Sequence, residues 1–310
     1  MSKEKHFTYL SADKKTQIHA IRWEPEGEPR GILQIAHGMQ EYIDRYADFA
    51  RFLNGHGFLV VGNDHLGHGS SVTSPEKMGY FAAKNGNKAV ITDMRTLHRM
   101  TGEAYPGKPY FLLGHSMGSF LARQYLCIYG KYLDGAIISG TAFHPYSEAS
   151  LGGLLCASIA KAKGWEHRSA FMTNMAMGSY NKRFEPARTK HDWLTRDEKI
   201  VDEYRKDPRT QPGFTLNAFY NMFQGLKYIE KKENLERIPK DLPILFIAGE
   251  MDPVGNFGAG VKQVFAQMKE LGIKDVACRI YPNDRHEVLN ELDRAQVYED
   301  VLEWLEGRMS

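Results

Sequence analysis

The sequence predicts an α/β chain with a mostly parallel central sheet and helices on both faces, and three observations carry that prediction. Short apolar runs of strand length alternate with stretches of helical spacing over residues 31–140. The same alternation resumes at residue 242 and continues almost to the end of the chain. Between these two halves, from about Thr141 to Lys227, no apolar strand run occurs and every patterned stretch is helix-like. Residues 1–140 and 228–310 are therefore expected to form the core, and residues 141–227 a helical cap inserted late in the sheet, above the strand tips.

Taken in order, residues 5–11 and 16–24 read as two antiparallel strands around a turn at 12–15, the second alternating polar and apolar side chains. Residues 31–36 form an apolar run of buried-strand type that ends in His37-Gly38-Met39-Gln40-Glu41. A glycine just after a core strand lets the backbone turn sharply and leaves the N–H of Met39 free to face a neighbouring strand tip. A helix over about 46–55 stops at Gly55-His56-Gly57 and is followed by a strand at 58–62. Behind that strand, Asp64, His65 and His68 share a glycine-rich loop. Imidazole and carboxylate groups at this spacing could bind a metal, but no fourth ligand is near, and a tight loop is the simpler reading.

A helix over 87–101, a strand at 110–113, a helix after Gly118 and a strand at 133–140 complete the first half. In the insertion, helices are expected over 150–163, 172–180 and 215–228, with Thr195 as an N-cap and Glu198 as its capping-box partner. Its methionines and aromatics either line a pocket for an acyl chain or pack the cap onto the core. The second half gives strands at 242–249 and 276–281, a helix at 261–271 and a closing helix over 294–306.

Composition narrows the function. With 310 residues, 42% of them hydrophobic, the chain can bury a large core, and 40 basic against 38 acidic residues give no electrostatic case for nucleic acid. No run of about 18 apolar residues exists to span a membrane, and the N-terminal stretch Met-Ser-Lys-Glu-Lys-His has no apolar segment behind it. Cys127, Cys156 and Cys278, an odd number set among apolar neighbours, read as buried free thiols in a reducing compartment, so a cytoplasmic location is expected.

The chemistry concentrates at Gly114-His115-Ser116-Met117-Gly118, the corner between the strand at 110–113 and the next helix. Two glycines let a strand turn abruptly into a helix, which holds the apical Ser116 out from the sheet beside the helix N-terminus. The first N–H groups of that helix, starting at Met117, face any negative charge that develops there. A serine hydroxyl needs a base, and of the 12 histidines His286 is preferred because it follows the last core strand. Asp252, in the rigid Asp252-Pro253-Val254-Gly255 turn after the strand at 242–249, is preferred over Glu250 as the acceptor that orients the imidazole.

These segments, together with Asp64-His65-Leu66-Gly67-His68-Gly69, resemble the serine hydrolases of the α/β-hydrolase fold, in particular the monoacylglycerol lipase and lysophospholipase-like group related to serine aminopeptidases. The likeness spans nearly the whole chain, with one departure: Tyr42 follows Glu41 where lipase relatives often have His. The resemblance implies a triad of Ser116, Asp252 and His286, an oxyanion hole of the Met39 and Met117 N–H groups, and no cofactor or metal. It implies a small ester substrate with an apolar acyl chain, with peripheral contact of the cap with a membrane as one option. Two alternatives stay open. An aminopeptidase would need an acidic cap pocket, for which Glu185, Asp192, Asp197 and Glu198 are candidates although they read as surface; a non-catalytic receptor would lack a triad member.

Overall fold

The computed structural model describes residues 3–309. Of the N-terminal stretch Met-Ser-Lys-Glu-Lys-His, Met1 and Ser2 lie outside the described residues. Strands β1 (Lys3–Leu10) and β2 (Gln17–Glu24) form an antiparallel hairpin, and β2 pairs antiparallel with β4 (Phe58–Asn63). From there the sheet is parallel, through β3 (Gly31–Ala36), β5 (Tyr110–His115), β6 (Gly135–Ser139), β7 (Ile244–Gly249) and β8 (Val276–Tyr281). The spatial order is β1-β2-β4-β3-β5-β6-β7-β8. Every residue of β3, β4, β5, β6 and β7 is buried, as continuous apolar strands covered on both faces must be.

Helices cover both faces because the crossovers keep one hand while the β3-to-β4 step runs across the sheet in the direction opposite to the later steps toward β8. One layer of buried side chains lies under α2 (Gly86–Ala104), α3 (Met117–Tyr129) and α9 (Ala259–Glu270); the opposite layer lies under α1 (Ala47–Gly55) and α10 (Arg294–Glu306). Neighbouring residues of one strand divide between them, Ile32 and Ala36 to the first, Leu33 and Ile35 to the second.

Between β6 and β7 the described chain forms only helices: α4 (Tyr146–Lys163), α5 (Ala170–Met177), α6 (Glu198–Lys206), α7 (Leu216–Ile229) and the single turn α8 (Lys232–Leu235), with one 3-10 turn at Lys182–Phe184. The N-cap of α6 corrects the sequence reading. Asp197, not Thr195, accepts the capping N–H, from Lys199, while the Thr195 hydroxyl donates to Asn290 O at 3.0 Å and receives Asp197 N–H. Cys278 is half-buried rather than buried, because the edge strand β8 is covered less completely than the central strands. No helix among the described residues is long and apolar enough to cross a membrane.

Candidate active site

Register aligns the carboxyl ends of the parallel strands. Ala36 stands opposite Gly114, His115 opposite Ser139, and Gly249 opposite Tyr281, so the loops beginning at His37, Ser116, Gly140, Glu250 and Pro282 emerge on one edge of the sheet. A cleft of about 1620 Å³ opens above that edge, and Met39, Ser116, Met117 and His286 all line it.

At the corner, Ser116 has φ 54° and ψ −121°, a strained conformation for a residue with a Cβ. It is held there by Ser116 N–H donating to Ser139 O at 2.9 Å and by the Ser119 hydroxyl donating to Ser116 O at 2.6 Å. Closeness of the packing explains the two glycines: a Cβ on Gly114 would fall 2.3 Å from Gly118 O, and one on Gly118 would fall 2.0 Å from Ala36 O. Met117 is the first residue of α3, so its N–H has no acceptor inside the helix. The N–H of Met39 has no hydrogen-bond partner among the described residues.

His286 and Asp252 are buried side by side. Asp252 Oδ1 lies 3.0 Å from His286 Nδ1 and accepts Val254 N–H at 2.8 Å; the ring N–H is not aimed straight at Oδ1, and Oδ2 has no partner. Burial opposes a charged imidazole, but the charge and hydrogen-bonding of Asp252 together with the charges of Glu287 and Glu41 outweigh it and leave the His286 pKa above the ordinary value of 6.5. Its neighbour His115, buried without such a partner, is pushed down to about 3. Among the described residues no hydrogen bond joins Ser116 Oγ to His286; the two side chains share the cleft wall.

Several contacts at the site carried no sequence signal. The His286 ring is flanked by His115 (centroids 4.7 Å apart) and by Trp193 from the insertion (5.1 Å), and Tyr180 packs on Trp193 at 4.9 Å. Beside it, Arg45 bonds to Glu287 through both terminal guanidinium nitrogens (2.8 and 2.7 Å) and to Glu41 at 2.9 Å; the two carboxylates are buried and Arg45 is half-buried. Burial works against an ionised Glu287, but the charge and hydrogen bonds of Arg45, with His115 and Asn290, together prevail and bring it to about 2. Tyr42 donates to Asp207 at 2.5 Å, tying the loop after β3 to the insertion.

The loop at 64–68 is held by hydrogen bonds to neighbouring segments. Asp64 accepts Ile43 N–H and Ser70 N–H, each at 2.8 Å, and lies 2.9 Å from His19 Nδ1. The group of acidic side chains close enough to share an ion among the described residues is Asp284, Glu291 and Asp293, and Arg196 of the insertion bonds to all three. Of the four carboxylates considered for an α-amine pocket, only Glu185 lines the cleft. Asp192 is buried rather than at the surface, because Thr189 and Arg188 N–H cap it.

Residues 27–293 match the family model described as serine aminopeptidase, S33. The chain belongs to that family. A monoacylglycerol lipase of Mycolicibacterium smegmatis is 27% identical over 91% of this chain and 90% of its own. The monoglyceride lipase of Homo sapiens is 25% identical over 92% of this chain and 86% of its own. Among solved structures, a highly thermostable carboxyl esterase from Bacillus coagulans in complex with glycerol superposes with a TM-score of 0.92, at 31% identity and over 99% of each chain. The architecture of this S33-family chain is thus the α/β-hydrolase fold, with an eight-stranded, mostly parallel sheet.

Proposed function

We infer that this protein is a carboxylic-ester hydrolase that forms an acyl-enzyme on Ser116. His286 takes the hydroxyl proton as Ser116 attacks the ester carbonyl, Asp252 orients the imidazole and stabilises its charged form, and the Met39 and Met117 N–H groups receive the oxyanion. The protonated His286 then gives its proton to the leaving alcohol, and a water activated by the same imidazole releases the acid. The observation that carries this reading is the strained Ser116 in the wall of the same cleft as His286, itself 3.0 Å from Asp252. In hydrolases of this type the Ser–His–Asp bonds commonly tighten when substrate binds.

The substrate class we favour is a monoacyl ester of a small polyol or lysophospholipid. Met222, Phe223, Leu226 and Met175 give the cleft an apolar reach suited to an acyl chain. We read residues 141–227 as a cap that forms this wall. Its outward side chains Leu151, Leu154 and Phe171, exposed by 57%, 64% and 59%, suit contact with a lipid surface. Three free cysteines fit a reducing, cytoplasmic setting. Neutral monoacylglycerols graded by chain length, with aminoacyl amides beside them, test the assignment: turnover of the esters is expected, and exclusive turnover of the amides contradicts it.

A further inference from the structure

One peptide group in the turn after β3 presents its two ends to different partners. Its carbonyl is Gly38 O and its N–H is that of Met39; the bond is trans, so the two point in opposite directions. His37 Nδ1 lies 2.8 Å from Gly38 O, and since a carbonyl only accepts, Nδ1 carries the proton. The other ring nitrogen is fixed independently, because His65 N–H donates to His37 Nε2 at 2.8 Å. These two contacts admit a single form of the ring, neutral with its proton on Nδ1.

The Gly38 carbonyl favours a charged ring, but burial and the neighbouring imidazoles outweigh it. His37 is fully buried, with its ring 4.2 Å from that of His65 and 5.2 Å from that of His68. Burial and these two imidazoles hold its pKa well below the ordinary value. Gly38 is also gripped from its other side, where its N–H donates to the buried Glu41 carboxylate, which Tyr46 and Arg45 hold in turn. A Cβ on Gly38 would lie 3.1 Å from the Cβ of Ser116, so this turn passes directly against the serine.

We propose that His37 is a positioning residue of the oxyanion site: by donating Nδ1–H to Gly38 O it fixes the Gly38–Met39 peptide plane and polarises it, so that Met39 N–H is aimed and strengthened as a donor. A hydrogen bond to one end of an amide draws charge through it and makes the N–H at the other end a better donor. The inference rests on reading Ser116 as the nucleophile. A histidine that merely filled the core would need neither the tautomer nor the contact with Gly38 O.

Two polar variants separate these roles. His37→Asn puts an amide nitrogen where Nδ1 stands and keeps the donor to Gly38 O; His37→Gln puts its amide near Nε2 and loses that donor. His37→Asn is expected to keep kcat within about threefold of wild type, and His37→Gln to lose about tenfold to a hundredfold with KM little changed. The carbonyl stretch of the trapped acyl-enzyme should move to higher wavenumber in the Gln variant alone. Equal kcat in the two variants, a loss confined to KM, or an unmoved stretch overturns the proposal. Nitrogen NMR of the unaltered protein needs no variant: His37 should hold its proton on Nδ1 from about pH 5 to 9, and a proton on Nε2 overturns the proposal as well. Fluorophosphonate labelling of the wild type is run alongside. If the wild type fails to label at Ser116, the nucleophile reading falls; if it labels and the two variants behave alike, only the role of His37 falls.

Discussion

The two sides of the cleft are fastened by different forces. On one side, residues 192–197 of the insertion are stitched to the His286 loop by backbone bonds from His286 N–H to Trp193 O (3.3 Å) and Glu287 N–H to Leu194 O (2.7 Å). Arg196 adds Asp284, Asp293 and Glu291 at 2.5, 2.6 and 3.0 Å, and Arg285 donates to Asp192 O. On the other side, α4 and α5 turn large apolar side chains to solvent, and Leu151 and Met175 there line the cleft while staying exposed. On the proposed mechanism, rigid charge pairing serves the side where a proton moves through a fixed geometry. Apolar, adaptable contact serves the side proposed to take a variable acyl chain.

The largest expected effect lies on the fixed side. Asp252→Asn should lower kcat by about 10⁴-fold, since a neutral amide neither favours the working tautomer nor stabilises the imidazolium. The pH profile sharpens the point. On the proposed mechanism His286 acts as a base only when neutral, and Asp252 is the chief group raising its pKa, so kcat/KM of the wild type should rise with pH through a limb above 6.5. In the Asn variant the residual activity should show that limb at lower pH. A limb unmoved by the substitution would detach Asp252 from His286.

Next comes the stitching itself. Arg196→Met leaves Asp284 and Glu291 buried together without their cation, which should cost about 3 kcal/mol in urea unfolding at neutral pH. Burial and Glu291 push Asp284 up to about 7, so the folded state keeps a proton that the unfolded chain releases near its ordinary 3.8. Stability from this group is therefore fullest at low pH and falls as pH rises toward 7; without Arg196 the fall steepens, and the deficit of the variant should be smallest near about pH 4. A deficit independent of pH would mean that lost packing, not charge, is the cause.

Smaller effects belong to the apolar side. A Cβ at Gly152 would fall 2.5 Å from the Phe223 ring, so Gly152→Val should crowd the cleft and shorten the preferred acyl chain, each excluded methylene being worth about 0.8 kcal/mol. Chain-length profiles read this directly. Phe171→Ser should leave unfolding within about 0.5 kcal/mol of wild type and leave soluble short esters unaffected, while reducing turnover of monoacylglycerol presented in vesicles. Equal loss on both substrates would remove the lipid-contact role.

The same contrast governs what could be read from the chain. Strands β3 to β7 were legible because full burial on both faces leaves unbroken apolar runs, and the Ser116 corner was legible because steric closeness demands glycine at 114 and 118. The insertion was visible as an absence of strands, yet its α6 cap was misassigned, since Thr195 and Asp197 are both good caps and only the tertiary bond of Thr195 to Asn290 separates them. Arg45 with Glu287, Arg196 with its three carboxylates, and Trp193 on His286 left no local pattern. These partners lie 88 to 242 residues apart along the chain, and they meet only because strand tips and insertion converge on one edge.

Mass-spectrometric mapping of the residue modified by a fluorophosphonate ester in the folded protein tests the whole scheme most directly. A single adduct on Ser116, formed rapidly by the wild type and abolished in His286→Ala, is the expected result. An adduct on another residue, none at all, or undiminished labelling of Ser116 without the imidazole would contradict it.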